Sequence, residues 1–163
     1  MRGDRYLIEG DRFVCVTTCV SSTGNRGVFR NNHLYRGDAL FGSGSVLSIR
    51  GSANTVENNY LESVELNPAA IFVSGHQNVI ARNTMVMTQG FGGGAAILVQ
   101  GGSANVIDGN IANHSTPNVR WEFGVVFVLG ANGNFFGNNR MKSDEPFAQR
   151  SGPQIDWGGN VGY

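Results

Sequence analysis

The chain has 163 residues, 24 of them glycine, with only 15% charged residues and a formal net charge of zero. That length suits one domain with a sizeable core, and abundant Val, Ile and Phe without runs of helix-forming residues point to β-structure with many tight corners. The charge balance excludes the basic surface that a nucleic acid backbone or an anionic membrane requires.

Residues 1–26 are expected to form an irregular first rung, or a cap over the open end of a stack of coils. Phe13-Val14-Cys15-Val16-Thr17 has strand propensity and Ser21-Ser22-Thr23-Gly24-Asn25 is a turn signal. The start MRGDRYLIEGDR lacks the basic-then-apolar layout of a signal peptide, so either export does not use that route or the chain is a piece of a longer one. Cys15 and Cys19 are four apart in a strand-like stretch, where an extended backbone would hold them beyond bridging distance. They are read as buried free thiols, not as a disulfide or metal site.

From residue 27 a repeat takes over. Asparagines five apart recur as Asn54 and Asn59, Asn78 and Asn83, Asn105 and Asn110, and Asn134 and Asn139, each followed two residues on by an apolar residue or alanine. A degenerate earlier copy reads Gly27-Phe29-Asn32-Leu34, and the steps between copies are 27, 24, 27 and 29 residues, the window of solenoid repeats. Each copy follows a strand ending in glycine, as in Leu47 to Gly51, Ile71 to Gly75, Ile97 to Gly101 and Val126 to Gly130, and alternation there predicts Ile49, Val73, Val99 and Val128 in one inward column. The turn between the paired asparagines has Asn31, Asn58, Arg82, Gly109 and Asn138 at its second position; four suit a left-handed corner, and Arg82 implies either a different corner in that coil or local strain.

A constant long period stacks like on like in parallel register, about 4.8 Å per coil, so the asparagines should form two internal ladders of paired amides. The motif N-x-[VIF]-x-x-N-x-[LM] after an I-x-V-x-G strand resembles the right-handed parallel β-helix of the pectate-lyase-like superfamily, which includes polysaccharide lyases, glycoside hydrolases, alginate epimerases and phage tailspikes. The resemblance implies an all-β, right-handed parallel β-helix of about five to six coils, a single domain over 1–163 with regular coils at 27–141 and a last partial coil at 142–163. It also implies a polysaccharide partner, an extracellular or virion-associated setting, and either a carbohydrate-binding or polysaccharide-modifying role or that of a non-catalytic structural spike.

Variation in repeat length falls between the second asparagine and the next aliphatic strand, and insertions at one phase project from one side of a solenoid. His114, Arg120, Trp121 and Glu122 share one insertion, and Asp144, Glu145 and Arg150 the next. A uronate lyase or epimerase would use Arg120 to neutralise the substrate carboxylate and His114 as base. A glycosidase would need two carboxyls about 5 to 9.5 Å apart, for which Glu122 with Asp144 or Glu145 is the best pair. Trp121 would stack on a sugar ring or cover the side of the solenoid, and Glu62, Glu65 and Arg150 would join substrate contacts or only keep their loops soluble. Arg30 and Glu57 would pair across coils. No metal-ligand spacing or cofactor motif is present, and none is expected. The outward column Ser48, Phe72, Leu98 and Phe127 is unusually apolar; either an insertion folds over it or it meets neighbouring subunits of a homo-oligomer, the trimer being favoured.

Overall fold

The computed structural model describes residues 3–37, 44–63, 69–88, 94–115 and 119–163. All strands are parallel to their neighbours, and each sheet takes one strand from each successive turn of the chain. The first sheet runs through Leu7–Glu9, Val28–Arg30, Thr55–Glu57, Val79–Ala81, Val106–Asp108, Phe135–Gly137 and Ile155–Gly158. The second runs through Arg12–Cys15, His33–Arg36, Tyr60–Ser63, Thr84–Met87, Ile111–His114, Arg140–Met141 and Val161–Gly162. The third runs through Val20–Ser22, Leu47–Ile49, Ala69–Val73, Ala95–Gln100, Trp121–Val128 and Ser143–Gln149. The chain is a parallel β-solenoid. Its regular part amounts to about four turns, fewer than the five to six expected, because only four carry an asparagine in both ladders and the strands on either side complete the sheets with other residues.

The core is a set of stacked columns. Ile8, Phe29, Val56, Ile80, Ile107 and Phe136 lie in register in the first sheet, and Leu34, Leu61, Met85, Ala112 and Met141 in the second. In the third, Ile49, Val73 and Val99 stack as expected, but Phe127 and not Val128 continues the column. Val125 to Val128 are all apolar, so alternation does not set their phase. A bend sets it instead: Ala70-Ile71 and Ala96-Ile97 both join the core cluster at successive positions, and Gly124-Val125 is the equivalent pair. A Cβ at Gly124 would lie 2.3 Å from the Pro146 carbonyl oxygen and 2.5 Å from the Met141 Cβ. The bend fits only without a side chain there.

The two asparagine ladders are internal. Asn54, Asn78, Asn105 and Asn134 form one, continued by Gln154; Asn32, Asn59, Asn83, Asn110 and Asn139 form the other, continued by Asn160. In each step the backbone N–H and the side-chain Nδ2 of one residue both donate to the side-chain carbonyl oxygen of the next, Oδ1 of an asparagine or Oε1 of Gln154, as Asn83 does to Asn110 at 3.0 Å in both bonds. The second Nδ2 hydrogen of Asn83 reaches the Val56 carbonyl, and both Asn83 and Asn110 are 0% exposed. Tyr6 closes the first ladder: it fills the space over Gly27, where a Cβ would meet its ring at 1.9 Å, and its hydroxyl donates to Asn54 Oδ1 at 3.0 Å.

Both asparagines of a pair follow a left-handed residue. Asn31, Asn58, Arg82, Gly109 and Asn138 have φ of 58, 53, 54, 62 and 56°, so the left-handed corner holds in every coil, including that of Arg82. Its guanidinium is held by Glu57 and its Nε donates to Asn58 Oδ1. A second left-handed column stands before the first ladder, at Arg26, Ala53, Gln77, Ala104 and Gly133, where four of the five residues are ordinary L side chains. Such angles persist only where the surroundings over-determine them, and the bonds of the following residue do so, from N–H and Nδ2 where it is asparagine and from the Gly27 N–H to Asn54 Oδ1 after Arg26.

Three further expectations change. Cys15 and Cys19 form a disulfide, with Cα atoms 5.0 Å apart; the second-sheet strand ends at Cys15 and the third-sheet strand begins at Val20, so the chain turns between the two cysteines and brings them together. Arg30 pairs with Glu9, not with Glu57, which is taken by Arg82. The outward column of the third sheet is Ser48, Phe72, Leu98, Val126 and Ala148, and most of it is buried within the chain: Phe72 is 8% exposed and Val126 3%, with the Arg50 guanidinium 5.4 Å from the Phe72 ring centroid, while Leu98 is half-buried.

Candidate functional site on the third sheet

The polar residues expected from the fourth and fifth insertions become parts of two long neighbouring strands, Trp121–Val128 and Ser143–Gln149. Trp121 pairs in register with Ser143 and Phe123 with Glu145, which sets Glu122 beside Asp144. Arg120 and Asp144 form an exposed ion pair at 3.0 Å, and Arg150 binds Glu145 while lying 4.9 Å over the Phe123 ring. A shallow groove of about 350 Å³ runs beside them, lined by Gly94, Ala95, Leu98, Glu122, Phe123, Val126, Val128 and Arg150. Its floor is apolar and its rim is charged.

The remaining residues do not join it. Trp121 is a core residue, 0% exposed, with its indole N–H donating to the Asn113 carbonyl at 2.8 Å; it cannot present a ring face to a sugar. Its phase explains this, since Trp121 opens the strand on the inward side while Glu122 points out. His114 ends a strand of the second sheet, in register with Met87, whereas Arg120, Glu122 and Asp144 belong to the third sheet or its approach. Glu62 is also in the second sheet, 3.5 Å from His33, and Glu65 lies outside the described residues.

Chemically, the arrangement suits binding better than bond cleavage. Glu122 and Asp144 sit on adjacent strands about 4.8 Å apart, near the separation of a retaining glycosidase pair, about 5 to 5.5 Å. Yet Asp144 is paired with Arg120 and Glu145 with Arg150, and both pairs lie at the solvent-exposed surface. Among the described residues no cluster of three or more His, Cys, Asp or Glu could hold a metal ion. Sequence reasoning missed Phe123, which forms the aromatic part of the groove; its place between Glu122 and Gly124 carried no signal that the strand would bend there. Comparison of the chain with known protein families, with curated proteins and with solved structures finds no match.

Proposed function

We propose that this β-solenoid binds polysaccharide along the outer face of the third sheet, within the broad pectate-lyase-like type that its repeat resembles. One observation carries the reading: a largely apolar groove lined by Phe123 has Glu122 and Arg150 at its rim, with Glu145 bound to Arg150 and the Arg120–Asp144 pair at the start of the same two neighbouring strands. A flexible chain of sugar rings presents apolar C–H faces and hydroxyls in alternation, and a groove with an apolar floor and a polar rim matches both. The Cys15–Cys19 disulfide suits an oxidising compartment, which supports an extracellular or virion-associated setting.

The test is a glycan array probed with wild type, Arg150→Ala and Arg120→Ala. Binding by wild type that falls about tenfold or more in Arg150→Ala supports the reading; wild-type binding that both variants retain rejects the groove. A second reading, a non-catalytic structural spike assembled as a trimer, draws support from a different column. The outward residues Leu7, Val28, Thr55, Val79, Val106, Phe135 and Ile155 align along the first sheet, and Leu7 and Ile155 are 58% and 48% exposed. A strictly monomeric protein in light scattering, together with array binding, sets this reading aside.

A further inference from the structure

Trp121 and Trp157 are the chain's two tryptophans, and they have opposite fates: Trp121 is fully buried, while Trp157 stands 47% exposed on the lateral face of the first sheet. The backbone puts it there. Phe136 pairs with Asp156 but Gly137 pairs with Gly158, so Trp157 is the extra residue of a bulge, and bulges re-aim a side chain out of the regular alternation. Gly158 and Gly159, with φ of 95 and 74°, supply the left-handed angles that complete it. The indole lies directly on Gly137, where an added Cβ would come within 1.5 Å of the indole Nε1. Its ring is nearly parallel to that of Phe135, at 28° and 6.2 Å between centroids. One side of the indole is seated, and about half of the residue's surface faces solvent.

Polar groups stand beside it. Asp108 is in register with Gly137 on the neighbouring strand, and Asn138, itself exposed, donates from Nδ2 to Asp108 Oδ1 at 2.8 Å. That single bond leaves acceptor sites on the carboxylate and a carbonyl and an amide hydrogen on Asn138. An open indole with a planar carboxylate and amide one strand spacing away provides an apolar platform and directional hydrogen-bonding groups together. Resting on the reading that the solenoid binds polysaccharide, we infer that this place is a second subsite, separate from the third-sheet groove, which takes a neutral sugar ring with its C–H face on Trp157 and its hydroxyls on Asp108 and Asn138. Neutral sugar fits because the acidic residues placed beside Trp157, Asp108 on the neighbouring strand and Asp156 next in the chain, are carboxylates, which repel uronates.

The experiment is tryptophan emission of the full chain, titrated with a panel of neutral gluco-, galacto- and manno-oligosaccharides and with an oligouronate. Trp121 is shielded from solvent, so a ligand-induced shift reports Trp157. The expected result is a blue shift with at least one neutral oligosaccharide and none with the oligouronate. The shift should vanish in Trp157→Ala, whose Trp121 emission verifies the fold, and the apparent affinity should weaken about tenfold in Asp108→Ala. No shift with any neutral member, a response to the oligouronate alone, or a shift produced by raising protein concentration without sugar, which marks a self-association face, each overturns the proposal. The two sites fail separately: a shift that survives Arg150→Ala while array binding does not depend on Arg150 removes the groove and keeps this subsite. Array binding lost in Arg150→Ala with no Trp157 shift does the reverse.

Discussion

Two sets of polar side chains run along this solenoid and differ in every respect that matters. Inside, the same residue type recurs at each coil, is buried, and has each amide group bonded to the coil above or below, as at Asn59, Asn83 and Asn110. On the outer face of the third sheet, Arg120, Glu122, Asp144, Glu145 and Arg150 occur in only two neighbouring turns and lie at the surface, where four of them form the pairs Arg120–Asp144 and Arg150–Glu145. Repetition with burial marks polar groups that hold the stack together, since a polar atom inside must be bonded by the protein itself. Polar groups that are not repeated and stay solvated contribute little to stability, which is consistent with the recognition role proposed above.

The sharpest way to break that contrast is Asn83→Leu. It strips the acceptor from the Asn59 N–H and Nδ2, the donor from the Val56 carbonyl, and one of two donors from Asn110 Oδ1, which keeps the backbone N–H of residue 83. Several buried groups then lack partners, so the expected loss is about 3 kcal/mol or more, read by chemical denaturation; a change below about 0.5 kcal/mol, the range of surface substitutions, would mean that the ladder is not structural. Gly124→Ala comes next. Its Cβ collides with Pro146 backbone and Met141, and overpacking of that kind costs about 1 to 3 kcal/mol. An unchanged melting temperature would show that the bend is not what sets the phase of Val125 and Phe127.

Tyr6 tests the ladder's end by pH. Burial raises its pKa above the ordinary value of 10.0, with the Ser22 hydrogen bond opposing and Asp4 adding. The folded chain therefore holds the phenolic proton more tightly than the unfolded chain does. That contribution is complete below 10.0 and is lost as pH rises through the raised folded value. Tyr60 is shifted the same way by burial, so denaturation midpoints measured from about pH 8 to about pH 11 should fall in wild type and fall less steeply in Tyr6→Phe. Equal slopes would mean that Tyr6 has no part in the alkaline loss. The smallest effect is expected outside: Arg120→Ala breaks an ion pair whose side chains are 64% and 56% exposed, and stability should move by no more than about 0.5 kcal/mol. A larger loss would mean that the outer charges hold the fold as the inner amides do.

What the residues alone determined is the periodic part. A repeat close to a constant length imposes parallel in-register stacking, and stacking turns a recurrent asparagine into a ladder; Asn54, Asn59, Asn78, Asn83 and their successors obey this directly. The left-handed corner between the pairs was legible too, because asparagine and glycine tolerate it. The matching corner before the first ladder was not, since Ala53, Gln77 and Ala104 have no preference for such angles and take them only because the ladder bonds on the next residue require it. The site was legible as a cluster and not as a geometry. Glu122, Asp144, Glu145 and Arg150 meet because their insertions stack, but Trp121 went inward and Phe123 outward at a bend that Gly124 permits and no alternation rule encodes. Cys15 and Cys19 bridge because the chain turns between them, and Trp157 faces solvent because a bulge adds one residue opposite Gly137. Period is a property of the sequence taken one repeat at a time; phase at a bend, a bulge or a corner depends on what the neighbouring coil leaves room for, and only the stacked structure contains that neighbour.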